Sequence, residues 1–187
     1  MIMKRSALFH LHQRAGAKLV EQQGWELPSC FVPPEQEAAQ VSKGVGLADL
    51  SHLLKFDLKK QPQQKCWRLG MDHYFMIGES LDPPSGAIDV SSVYTSFRLV
   101  GPRSRDVLNK LTSLNVSDAT LPNLSCAQAS VAHAHAMLLR EDIGSIPAFY
   151  LLVNRDYGES IWESIFHAGD EFHLIPFGLQ TLQQLHN

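Results

Sequence analysis

The sequence holds little of what would declare a function at once. Cysteine is scarce: Cys30, Cys66 and Cys126 are the three in 187 residues, widely spaced in the chain and odd in number. They outline no disulfide framework and no paired-cysteine zinc pattern, so no metal ligands are assigned and a reducing cytoplasm is the expected location. Long apolar runs are missing too. The longest, Ala148 to Val153, is far short of the roughly 20 residues that cross a bilayer, so no membrane association is expected. At the amino terminus Leu8-Phe9 gives way at once to His10, His12, Gln13 and Arg14, which does not read as a signal peptide. Nor does charge of one sign accumulate. Lys and Arg number 16 against 19 Asp and Glu, a net charge of -3, which makes no electrostatic case for nucleic acid or an anionic membrane. No glycine-rich phosphate loop occurs, since Gly44-Val45-Gly46 lacks both the spacing and the following helix start.

What is present suits a globular domain. The 44% apolar and 19% charged shares argue against disorder, and a chain of this length buries roughly 70% of its unfolded surface without staples. Apolar spacing predicts a helix over 6–23 that stops at Gly24, and a second from Glu35 to Gly44 or Gly46 with Glu35 and Glu37 at its positive end. Strands are expected over 47–58, 66–69, 73–77, 87–100, 125–139 and 149–153. Gly101-Pro102 opens a helix, another covers 156–168, and a last one starts at Pro176. This alternation gives an α+β fold on antiparallel sheet. Asp82-Pro83-Pro84-Ser85-Gly86 is the strongest break, dividing one domain into halves of roughly 1–86 and 87–187.

Few residues offer chemistry by themselves. His133 and His135 alternate in an expected strand, so both rings would leave one face, yet two imidazoles fall short of a metal site. Cys126 reads as a small buried hydrophobe and Cys30 as more exposed. Glu35 and Glu37 are explained as helix-start acids, Glu141-Asp142 as a turn, and Trp25, Trp67 and Trp162 as core. No catalytic residue is assigned.

Longer segments carry more. Gly24-Trp25-Glu26-Leu27-Pro28 followed by Gly46-Leu47-Ala48-Asp49-Leu50-Ser51-His52-Leu53 resembles the opening of the glycine-cleavage T-protein (aminomethyltransferase) family, in its G-W-x-x-P and G-L-x-D-V-S-H-M segments. Trp67 with Gly70 to Ile77, Phe97 to Leu108, Ser125 to Ala129, Phe149 to Val153 and Glu159 to Trp162 resemble the sarcosine oxidase gamma subunit of the same superfamily. The resemblance implies two ferredoxin-like halves that exchange strands. It also implies a folate-binding fold, with tetrahydrofolate as the one cofactor allowed, and a place in one-carbon metabolism. Trp25, Asp49, Ser51, His52 and Arg98 become the ligand-binding candidates. Two readings of Asp49, Ser51 and His52 stay open: they line a ligand cavity, or they bond local backbone and pack at the junction of the halves.

Departures from the family pattern shape the functional expectation. The family's Gly-Gly…Asp-Asp segment has no counterpart between Lys60 and Ile88, where Asp72 and Asp82 sit in other contexts. Its Gly-Glu-x-Gly-Phe-Glu segment is replaced by Gly144-Ser145-Ile146-Pro147-Ala148-Phe149-Tyr150, without a carboxylate. A non-catalytic subunit or accessory protein is therefore expected, docked through an exposed apolar patch to a larger flavoprotein, with self-association left open. The alternative is a stand-alone tetrahydrofolate-dependent aminomethyltransferase-like enzyme or folate-binding protein.

Overall fold

In the computed structural model, which describes residues 3–186, two Asp-x-Ser segments break what the apolar pattern reads as long strands. In chain order the elements are β1 (Lys4–Arg5), α1 (Phe9–Arg14), β2 (Lys18–Gln22), β3 (Trp25–Cys30), α2 (Pro34–Lys43), β4 (Gly46–Asp49), β5 (Leu54–Leu58), β6 (Trp67–Gly70) and β7 (His73–Gly78). There follow β8 (Ile88–Asp89), β9 (Tyr94–Val100), α3 (Ser104–Leu111), β10 (Cys126–Val131), β11 (Ala134–Arg140), β12 (Ala148–Asn154), α4 (Gly158–Gly169), β13 (Ile175–Pro176) and α5 (Leu179–His186). The strands form three sheets, ordered β1-β3-β2, β10-β11-β12-β9-β4-β13 and β6-β7-β5-β8.

The expected strand over 47–58 is two strands in different sheets. At the corner between them the Ser51 N–H and hydroxyl both donate to Asp49 Oδ1, at 3.0 and 2.5 Å. The same local turn recurs at 89–91, where the Ser91 N–H donates to Asp89 Oδ1 at 2.8 Å, and it splits the expected strand over 87–100. Short polar side chains that bond backbone two residues on compete with the ladder and turn the chain. At the first corner the chain leaves the six-stranded sheet for the four-stranded one; at the second it returns. β4 is thus antiparallel to β9 and fills the fourth position of a ferredoxin-like order β4-β9-β12-β11, while β8 crosses over to pair with β5. This is the α+β fold with exchanged strands that the sequence resemblance implies.

Three further expectations need correction. The helix over 6–23 is only α1; Gly16, at φ +79°, turns the chain into β2. Gly24 does not stop a helix but closes the β2–β3 hairpin, with Gln23 and Gly24 both at positive φ, the geometry a two-residue hairpin turn requires. The expected strand over 125–139 is the β10–β11 hairpin, turned at Ala132-His133 with φ of 46° and 69°. Neither residue is the Asn or Gly that signals such a turn, so the sequence pattern ran through it. His133 therefore sits in the turn and only His135 in a strand. Cys30 is buried rather than exposed. Cys126 is half-buried, its thiol donating to the Arg68 carbonyl at 3.1 Å.

One face of the large sheet packs Phe97, Leu99, Leu138 and Leu151 against α3 and α4 through Val107, Leu108, Ile161 and Ile165. The other face is shared. Met137, Leu139 and Leu152 meet Trp67 and Phe75 of the four-stranded sheet, and Ala48 and Val100 meet Val41 of α2 and Phe177. Burial of each large apolar side chain contributes about 1.5–3 kcal/mol.

Glu37, fully buried, ties α2 to α5 and to the end of β3. It accepts from the N–H groups of Phe31 (2.5 Å), Val32 (3.0 Å) and Gly178 (3.1 Å), and from the Thr181 hydroxyl. Gly178 is required there because a Cβ would lie 2.1 Å from the Ser29 carbonyl oxygen. Glu37→Ala is expected to destabilise the fold by about 3 kcal/mol, since several buried donors lose a charged acceptor together. Glu37→Gln should recover part of the loss; urea denaturation of both variants checks this.

Candidate functional site

The two corners stand side by side, and Lys55 clasps them. Its side chain is wholly buried (0% exposed), and its amine donates to the carbonyls of Ser51 and Leu53 at 2.9 and 2.8 Å. Its backbone N–H donates to Ser91 Oγ at 2.9 Å, and its carbonyl accepts from Val90 N at 2.9 Å. Burial pushes the amine down to about 8, against the opposing pull of Asp49 and Asp89. The corner is further fixed to β9 by Ser96, whose hydroxyl donates to the Leu50 carbonyl at 2.6 Å.

Asp49 is buried (3% exposed) and fully engaged. Oδ2 lies 3.0 Å from His12 Nε2, and Oδ1 takes both Ser51 donors. Burial alone would raise its carboxyl, but hydrogen bonds from His12, Ser51 and Ser6 with the field of His12 hold it below the usual carboxylate range. The His12 ring packs edge-on to Trp162 at 5.0 Å between centroids. His52, beside them, is also buried, and neither ring nitrogen has a hydrogen-bond partner. Burial pushes its imidazole down to about 4, with Asp49 opposing and Lys55 assisting.

Of the five residues singled out from the sequence, the structure brings Asp49, Ser51 and His52 together. Trp25 and Ser51 share the lining of a pocket of about 10 Å³, room for no more than one water-sized molecule. Arg98 lies apart, in the middle of the large sheet, where its guanidinium stacks 3.9 Å from the Tyr150 ring centroid and donates to the Glu141 carbonyl at 2.5 Å. Its Nη1 has no partner. Burial lowers its pKa from the usual arginine value.

Tyr150 connects this buried arginine to open space. It lines a cleft of about 490 Å³ with Leu50, Leu53, Glu79, Leu179, Leu182 and Gln183. That volume is ordinary for a small-molecule site. Burial pushes the Tyr150 phenol up, helped by Glu79 and Glu141 and opposed by Arg98. None of Trp25, Asp49, Ser51, His52 or Arg98 lines this cleft. Sequence reading passed over Tyr150, Glu79, Lys55 and His12. The only available signal for Tyr150 was the arginine opposite it, and that pairing (Arg98↔Tyr150) exists only once β9 and β12 are in register.

Halves joined by traded strands, with a mixed polar and apolar cleft where the three sheets meet, set the architecture of this α+β fold. Solved structures agree on that fold: the glycine cleavage system aminomethyltransferase T from Bartonella henselae superposes with a TM-score of 0.77 at 15% identity, over 98% of this chain and 62% of that one. A heterotetrameric sarcosine oxidase from Corynebacterium sp. U-96, in complex with pyrrole 2-carboxylate, contains a chain matching at TM-score 0.65 and 15% identity, over 90% of this chain and 96% of that one. The model of the GCVT N-terminal domain matches residues 71–186, and the chain belongs to that family. In sequence it is 23% identical to the aminomethyltransferase of Halothermothrix orenii, across 95% of this chain and 62% of the relative. It is 30% identical over 98 residues to sarcosine oxidase subunit alpha of Rhizobium meliloti, 51% of this chain and 10% of that one. The chain thus spans less than two thirds of the length of the aminomethyltransferases it matches. No helix among the described residues is long and apolar enough to cross a membrane.

His52 makes a titration test. The fold keeps its imidazole neutral down to about 4, whereas an unfolded imidazole takes up a proton near 6.5. Its depressed value therefore leaves stability intact above 6.5 and removes about 3 kcal/mol as pH falls from 6.5 to 4. His52→Leu should flatten that acid limb in chemical denaturation curves. At pH 7 it should be no less stable than the parent, because no hydrogen bond is lost.

Proposed function

We propose that this chain is a non-catalytic subunit or accessory protein of a folate-linked one-carbon enzyme, resembling the gamma subunit of heterotetrameric sarcosine oxidase. It works in the cytoplasm beside a larger flavoprotein subunit, and residues 1–187 act as one domain of two halves, roughly 1–86 and 87–187. The observation that carries this reading is the commitment of Asp49. The one buried carboxylate of the Asp-x-Ser-His segment is spent on His12 and Ser51 and does not line the cleft. The carboxylate that does, Glu79, is solvent-exposed. A match that spans most of a chain of a heterotetrameric enzyme supports a subunit role.

A second reading, a stand-alone tetrahydrofolate-dependent aminomethyltransferase-like enzyme or folate-binding protein, is favoured by the cleft itself. Its residues fit a planar polar ring: Tyr150 offers an aromatic face, and Glu79 and Gln183 offer polar partners. Bound tetrahydrofolate supplies ring nitrogens that carry one-carbon units; the chain's own part would be to bind and orient.

Affinity purification of the tagged chain from its native cell, with stoichiometry read by mass spectrometry and flavin by absorbance, separates the two. Equimolar recovery of a larger flavin-containing chain is expected. Recovery of the chain alone, with saturable binding of reduced folate that Tyr150→Ala weakens by about 2- to 10-fold, would establish the second reading instead.

A further inference from the structure

A separate cavity of about 640 Å³ lies where α3 and α4 end beside the β10–β11 turn. Its chemistry is one-sided. Lys110, His133 and His167 line it with the hydroxyl side chains of Ser113, Ser130 and Ser164, and no lining residue carries a carboxylate. Lys110 is itself paired with Glu171, which stands outside the lining, at 2.5 Å.

Part of this has a structural explanation. Helix carboxy-terminal ends carry partial negative charge, which Lys110 in the last turn of α3 offsets, and His167 stands in the last turn of α4. His133 has no such duty. It is delivered by a different element, a two-residue turn whose Ala132 and His133 both hold left-handed backbone, φ 46° and 69°, where Asn-Gly would sit with less strain. The turn is anchored by Ala132 N–H donating to the Leu111 carbonyl at 2.8 Å, which fixes His133 over the cavity. A strained turn that brings an imidazole into one cavity with a second imidazole and several hydroxyls supplies hydrogen-bond donors for a ligand that accepts them.

We infer that this cavity binds a small ligand through an oxyanion head group, a carboxylate or a phosphate, with His133 as a direct contact. The site shares no lining residue with the cleft beside Tyr150. The test is a titration of the full chain with inorganic phosphate and, separately, with succinate, at ionic strength held constant with chloride, following the histidine ring signals by NMR. Saturable shifts of His133 and His167 with either anion are expected, and the tighter of the two assigns the head group. Replacing the turn by Ala132→Asn with His133→Gly should raise the melting temperature by about 2–4 °C while weakening binding by about tenfold. A merely structural histidine would not give that opposition. His133→Asn, which also tolerates left-handed backbone, is the second variant should the double one fail to fold. Absence of saturation with both anions, or unchanged affinity in the folded His133 variant, would overturn the inference.

Discussion

Everything in this molecule hangs on two adjacent corners at which the chain changes sheets, and on the buried lysine that fastens them. Asp49-Leu50-Ser51 takes the chain out of the large sheet, and Asp89-Val90-Ser91 brings it back. Lys55 bonds the first through its amine and the second through its backbone. A buried ammonium is costly to desolvate, and the surrounding carbonyls and the fields of Asp49 and Asp89 offset that cost. A hydrophobic side chain could fill the same volume but could not specify which carbonyls face inward.

That arrangement also explains why the polar residues of the first corner are poor material for catalysis. Asp49 is held ionised by donors it cannot release without loosening the crossing, and His52 is held neutral with no partner at either nitrogen. Their work is architectural. Open space lies next to them, behind Leu50 and Leu53, where Tyr150 forms a wall backed by Arg98. The cleft is thus built on the far side of the motif residues.

The strongest local signals were legible in the chain itself. Pro33-Pro34 with Glu35 and Glu37 marks the start of α2, and Gly44 its end. The polar segment after Leu58, the strands β6 and β7 and the amphipathic α4 follow from period and punctuation. The failures share one cause. Turns at Gly16, at the two Asp-x-Ser corners and at Ala132-His133 interrupt apolar patterns that continue on either side, so periodicity alone reads across them. Of the two corners, Asp49-Leu50-Ser51 is legible as a local turn, one of its two open readings, whereas Asp89-Val90-Ser91 is read through as strand.

The sequence by itself determined the fold class, the family resemblance and the residues of the junction, because motif spacing and apolar period are local and survive in one dimension. Tertiary structure alone decided what those residues do. Whether Asp49 faces a ligand or His12, 37 residues away, depends on how β3, α1 and β4 pack. Which arginine lies under which aromatic ring depends on strand register across 52 residues of chain from Arg98 to Tyr150. The cleft and the cavity at the β10–β11 turn are likewise spaces between distant segments, and no single segment encodes a space.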